Sequence, residues 1–119
     1  MKNIRIERLN DSFQEDISKI IAQEVKDDDL KFITITEVQA SSDLGYAKVY
    51  FTSLQDNKRE EITKKLNKAS SFIRKNLAPK YDILKIPELN FIYDTSLEYG
   101  KHIDELIDKI SEEDNEKQD

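Results

Sequence analysis

The residue types that most often carry chemistry are scarce in this chain, and their spacing suits chemistry poorly. There is one histidine, His102, and no cysteine. A nucleophilic triad needs a histidine oriented between a nucleophile and a carboxylate. His102 sits beside Ile103 among charged residues, where a solvent-facing helical histidine is the simpler account. Glu105 and Asp108, or Asp104 and Asp108, have helical spacing and could pair as general acid and base. Residues 86–119 hold 11 acidic and 3 basic groups, however, so a solvated acidic face explains them better. Asp27-Asp28-Asp29 could attract a divalent cation. A calcium loop alternates its ligands and needs a glycine for its turn, whereas three adjacent acids point in different directions. Gly45 and Gly100 are the only glycines and stand apart, so no glycine-rich loop cradles a nucleotide phosphate. Without cysteine there is no thiolate zinc site, iron–sulfur centre, thiol catalysis or disulfide scaffold. The expectation is a protein that is not an enzyme, with no cofactor, no metal and no small-molecule substrate.

What remains is charge, and its distribution matters more than its sum. The chain carries a formal net charge of −6. Residues 1–57 hold 7 basic and 11 acidic groups, while residues 58–85 hold 9 basic and 3 acidic. A polyanion meets a local field, because exposed charges beyond about 10 Å are largely screened at 0.1 M salt. One basic segment between two acidic ones is therefore the informative object. Lys64, Lys65, Lys68, Arg74 and Lys75 fall on one helical stretch. Lys64, Lys68 and Lys75 share a face, with Lys65 adjacent. Lys80 and Lys85 follow, and Arg5 and Arg8, three apart, can point together. No acidic residue lies between positions 62 and 81. Such a surface binds RNA or phosphate by charge, with no sequence readout of its own. The plain alternative is an ordinary lysine-bearing face.

These residues need elements to position them. A chain of 119 residues makes one domain. Ile6, Leu9, Phe13, Ile17, Ile20, Ile21 and Val25 form one apolar stripe and predict a helix over 3–26. Residues 32–40 and 46–53 are rich in β-branched and aromatic residues and predict two strands, joined through Ser41-Ser42-Asp43-Leu44-Gly45 as an antiparallel hairpin. Ala47, Val49 and Phe51 share one face of the second strand. Helical period returns over 58–77, with Ile62, Leu66, Ala69, Ile73 and Leu77 toward the core, and Pro79 ends it. Asn57 and Glu60 have capping-box spacing. Residues 88–93 predict a third strand with Leu89, Phe91 and Tyr93 on one face. Thr95-Ser96-Leu97-Glu98 predicts the cap of a last helix. Residues 111–119 contain no apolar side chain and predict a disordered acidic tail over 112–119. The open face of the sheet is expected to carry Thr34, Thr36, Tyr46, Lys48 and Tyr50, or their neighbours. No stretch approaches the roughly 20 apolar residues of a membrane-spanning helix, and the first residues lack a signal-peptide core. The expectation is a cytoplasmic protein with no membrane partner.

Three motifs at consistent spacing resemble the ribosome-binding factor A family. Residues 41–50 resemble its hairpin signature, Ser-Ser-Asp-Leu-Gly-Tyr-Ala-Lys-Val-Tyr. Residues 67–77, Asn-Lys-Ala-Ser-Ser-Phe-Ile-Arg-Lys-Asn-Leu, resemble its central helix. Residues 87–106 resemble its closing strand and helix, and Arg5-x-x-Arg8 fits its opening helix. The resemblance implies an α+β fold: a single KH-like domain of type II over 1–111, ordered α-β-β-α-(kink)-α-β-α, with a three-stranded sheet packed on helices. The family's central helix is interrupted at an Ala-x-Gly kink in place of a Gly-x-x-Gly loop. Here those positions read Ala69, Ser70 and Ser71. Serine lacks glycine's backbone freedom, but its hydroxyl can bond back to the preceding turn and bend a helix. The resemblance further implies a monomeric assembly factor that binds the small (30S) ribosomal subunit and its 16S rRNA late in maturation. It implies support of 5′-end rRNA processing, notably in the cold. The RNA-binding residues would be Arg5, Arg8, Lys64, Lys65, Lys68, Arg74, Lys75, Lys80 and Lys85. The rival reading is a protein–protein adaptor working through its acidic C-terminal helix or open sheet face.

Overall fold

A computed structural model of the chain describes residues 4–83 and 85–96. The expected last helix, His102 and the acidic tail lie outside the described residues. Helix α1 spans Ile4–Glu24. Its stripe faces inward as the spacing requires: Phe13, Ile17, Ile20 and Ile21 are buried, and Leu9 and Val25 pack against the same core. Asp27-Asp28-Asp29 forms the entry to a 3-10 turn over Asp28–Phe32. Asp27 caps it, its Oδ1 accepting the Asp29 N–H at 3.0 Å.

Strands β1 (Ile33–Ala40) and β2 (Tyr46–Ser53) form the expected antiparallel hairpin. Ile35 lies opposite Phe51, Val38 opposite Val49 and Ala40 opposite Ala47, and these line the core side. Ile35 and Val38 are three residues apart, so strict alternation would put one of them in water. A register shift between Ile35 and Glu37 solves this by leaving Thr36 as an extra residue. Consequently Thr34, Glu37 and Gln39, rather than Thr34 and Thr36, stand across from Thr52, Tyr50 and Lys48 on the outer face. Gln14 on α1 covers the irregular edge. Its Nε2 donates to Ile35 O at 3.0 Å and to Thr36 O at 3.2 Å. One turn earlier, Asn10 Oδ1 accepts the Ala40 N–H at 2.9 Å. Side chains of α1 thus occupy the edge that β1 would offer another strand. In the hairpin turn the left-handed residue is Leu44, with φ 57°. The Ser41 and Asp43 side chains hold it by accepting the Gly45 N–H at 3.1 and 2.9 Å.

Strand β3 (Glu88–Tyr93) pairs parallel to β2, giving the order β1-β2-β3. A parallel pair needs a long crossover, and helices α2 (Arg59–Lys68) and α3 (Ser70–Leu77) supply it. Ile62, Leu66, Ile73 and Leu77 are fully buried against Val49, Phe51 and Phe91 in one core. Each such side chain contributes about 1.5–3 kcal/mol by leaving water. The expected Asn57 cap is not formed. A 3-10 turn over Asp56–Lys58 leads into α2, whose N-cap residue is Lys58 with no side-chain cap bond. The backbone bond from Lys58 N to Gln55 O at 3.0 Å sets that entry instead.

Helices α2 and α3 meet at Ala69, where φ is −82° and ψ is −2°. An α-helical ψ is near −42°, so the break lies in one torsion. Among the described residues neither the Ser70 nor the Ser71 hydroxyl bonds back to the preceding turn. The alanine backbone carries the interruption, and both serines already belong to α3.

Candidate nucleic-acid interface

The crossover presents the basic segment, and the fold divides it into two groups. Lys64, Lys68 and Lys75 are exposed. Among the described residues none of the three has a carboxylate within ion-pair distance. On α2, Lys64 and Lys68 point away from the Ile62–Leu66 stripe and line a groove of about 640 Å³ with Glu61, Thr63, Lys65 and Asn67.

The second group is tied to partners from other parts of the fold. Lys65 Nζ lies 2.8 Å from Asp29 Oδ2 and 3.1 Å from Asp27 Oδ2, reaching the turn after α1. Lys58 joins the cluster at 3.3 Å from Asp29 Oδ1. The hydrogen bond from Asp29, then that from Asp27, holds the Lys65 ammonium well above the usual lysine range. The same bonds, Lys65 first and Lys58 second, lower the Asp29 carboxyl. Arg74 is half-buried, and its Nη2 donates to Ile86 O at 2.9 Å, tying α3 to the approach to β3. Lys80 Nζ lies 3.9 Å from Asp16 Oδ1 on α1. The interval 62–81 lacks acids of its own, but the fold brings Asp16, Asp27 and Asp29 to it.

Arg5, Arg8 and Lys85 gather elsewhere. They line a cleft of about 780 Å³ together with Leu44, Tyr81, Ile83 and two acids, Asp43 and Asp82. Tyr81 anchors its floor: its hydroxyl donates to Asp16 Oδ2 at 2.6 Å and lies 2.8 Å from Ser12 Oγ. The ring packs edge-on to Phe13 at 4.8 Å between centroids. Burial, and then the bond to Asp16, pushes its phenol up to about 12. Lys85 stands near Asp43, whose carboxyl is lowered by the Ser41 hydroxyl first and the Gly45 N–H second, with a lesser contribution from Lys85. The nine basic residues therefore form no single patch: three line this cleft, three lie exposed on α2–α3, and three are tied down within the fold.

Phe72, which belongs to the apolar set around the helix break, does not join the core. It is 45% exposed on α3, between Lys68 and Lys75 in sequence. The signal was present in the period. Leu66 and Ile73 are seven residues apart on one stripe, so Phe72 must sit about 100° off it. Among the described residues no group of three or more histidines and carboxylates is placed to hold a metal ion. No described helix is long and apolar enough to cross a membrane.

The α-β-β-α-α-β order, the mixed three-stranded sheet under one layer of helices, and the crossover broken at an alanine define a KH-like α+β domain of type II. Comparison with known proteins gives it a narrower place. A family model described as Ribosome-binding factor A matches residues 5–107. The chain is 41% identical over 116 residues to ribosome-binding factor A of Legionella pneumophila strain Lens, covering 97% of this chain and 94% of the relative. It is 41% identical over 115 residues to that of Staphylococcus epidermidis, covering 96% and 99%. The chain belongs to the ribosome-binding factor A family. In fold it is similar to the Thermotoga maritima solution structure described as a ribosome binding factor A, with TM-score 0.68 and 30% identity over 81% of this chain and 93% of that one. It is also similar to Thermus thermophilus ribosome binding factor A as fitted into a map of a 30S complex, with TM-score 0.63 and 22% identity over 74% and 93%. That last likeness bears on fold alone.

Proposed function

We propose that this chain is an assembly factor that binds the immature small ribosomal subunit through its 16S rRNA. One observation supports the site: Lys64, Lys68 and Lys75 stay exposed on α2–α3 without carboxylate partners among the described residues, in a chain whose net charge is −6. An acidic protein that keeps such a row has a use for it, and a phosphate backbone is the counterpart. Family membership supports the partner, since the relatives that show it carry the name ribosome-binding factor A. Arg8 and Lys85, at the cleft rim, supply a second contact. The factor acts as a monomer in the cytoplasm and turns over no substrate. It favours one conformation of the immature subunit by its difference in affinity between immature and mature states. Support of 5′-end rRNA processing, and a greater need for it in the cold, follow if that conformation is the one the processing machinery recognises.

The test is co-sedimentation with separated small subunits, large subunits and assembled ribosomes across a salt series. Small subunits should bind, and affinity should fall linearly with salt on logarithmic axes. Equal binding to large subunits, or binding indifferent to salt, overturns the reading. Indifference to salt would favour an adaptor acting through the outer sheet face, where Tyr46 is 54% exposed.

A further inference from the structure

Four large apolar side chains are exposed among the described residues: Phe32, Tyr46, Leu54 and Phe72. Three have surroundings unsuited to a polyanion or lack a flat face. Phe32 follows Asp27, Asp28 and Asp29, and Lys31 beside it is paired to Asp28 at 2.9 Å. Tyr46 stands opposite Glu88 in the sheet. Leu54 has no π-face. Phe72 differs. It stands in the first turn of α3, with Lys75 three residues on along the same face and Lys68 four residues back across the break at Ala69. Both lysines are exposed and lack carboxylate partners among the described residues. Ile73 and Leu77 take the core side of α3, which leaves the Phe72 ring in water.

We propose that Phe72 is a stacking platform for an unpaired RNA base, with Lys68 and Lys75 holding the flanking phosphates. This rests on the RNA-binding reading above and deepens it. Single-stranded RNA is gripped by this combination of aromatic faces for bases and cations for backbone. The platform tolerates any base, because every base has a π-face. The site therefore selects for unstacked RNA rather than for a sequence.

The chain contains no tryptophan, so Phe72→Trp makes a reporter at this position alone. The probes are a 12-nucleotide oligoadenylate, the same strand with abasic sites, and purified small subunits. Phe72→Ala should weaken oligoadenylate binding roughly 5- to 150-fold while leaving the salt slope unchanged, because stacking releases no counterions. Phe72→Trp should bind at least as well as the native chain, with its emission quenched on oligoadenylate and not on the abasic strand. The native preference for bases over abasic sites should shrink in Phe72→Ala. If Phe72→Ala binds oligoadenylate within twofold of the native chain, stacking is refuted while the RNA-binding reading stands. If the native chain binds neither RNA nor subunits with a salt slope, the RNA-binding reading falls and takes this one with it. If Phe72→Ala loses subunits but keeps oligoadenylate, the ring meets ribosomal protein and the proposal is overturned.

Discussion

Asn67 on α2 grips both backbone groups of Phe91 on β3. Its Nδ2 donates to Phe91 O at 3.2 Å, and its Oδ1 accepts the Phe91 N–H at 2.9 Å. Strand β3 is an edge, and the Glu88 and Asp94 N–H groups already bond to Gly45 O and Phe51 O on the β2 side. Phe91, odd in that alternation, turns its groups outward, and the asparagine amide stands in for a fourth strand. The pair also sets the rotation of α2. With Leu66 in the core and Asn67 over the strand edge, Lys64 and Lys68 must face solvent.

Replacing Asn67 with Ala leaves the Phe91 N–H and C=O without that partner. The expected cost is about 1–3 kcal/mol of stability, read by urea denaturation, with faster amide exchange at Phe91. Unchanged stability and exchange would mean water replaces the amide freely, and the edge would not need its cover.

Tyr81→Phe tests the anchor between the turn after α3 and α1. The native chain should show a tyrosine titrating at about 12 by ultraviolet difference absorbance, absent from the variant. The sign follows from the raised value. The contribution is fully present below the unfolded phenol value near 10 and is lost as pH rises through about 12. At neutral pH the variant should be about 1–3 kcal/mol less stable, having lost a bond to a carboxylate. A variant as stable as the native chain would sink the assignment.

Asp29 and Lys65 predict a pH dependence with opposite limbs. Asp29 is lowered in the fold, so its contribution is present above the unfolded carboxylate value and is lost as pH falls through its folded value, below 3.8. Lys65 is raised, so its contribution is present below the unfolded lysine value of 10.5 and is lost as pH rises beyond it. Lys65→Met should therefore soften the acid limb of a Tm-against-pH curve, because Asp29 loses its nearer cation. An acid limb identical in the two proteins would show that the pair does not stabilise the fold.

The elements were legible in the sequence because each has a clean period. Strands β2 and β3 fall at the expected 46–53 and 88–93, and α1 buries the expected stripe from Phe13 to Ile21. The outer-face register was not legible, since a bulge at Thr36 depends on the partner strand and on Gln14 reaching over from α1. The division of the basic residues was hidden for the same reason. A charge count along the chain sees no acid between 62 and 81, whereas Lys65 meets Asp29 thirty-six residues away and Arg74 meets a backbone carbonyl that no charge count registers.

That division sharpens the test of the interface. Reversing Lys65 or Arg74 along with the exposed lysines would break the contacts to Asp29 and Ile86 O, and lost binding could then reflect a damaged fold. Lys64, Lys68 and Lys75→Glu together avoid this. All three are exposed, none lies on the Ile62–Leu66–Ile73–Leu77 stripe, and lysine and glutamate have similar helix propensities. The triple variant should keep the native circular dichroism spectrum and Tm and lose small-subunit binding at ordinary salt. Each phosphate contact removed deletes a counterion-release contribution, and each new carboxylate repels. Lys68→Ala and Lys75→Ala singly should each flatten the logarithmic salt slope by about one unit, whereas Lys65→Ala should lower stability and leave the slope alone. If the triple-Glu variant folds and still co-sediments with small subunits, α2–α3 is not the binding surface, and the cleft of Arg8 and Lys85 or the outer sheet face must be.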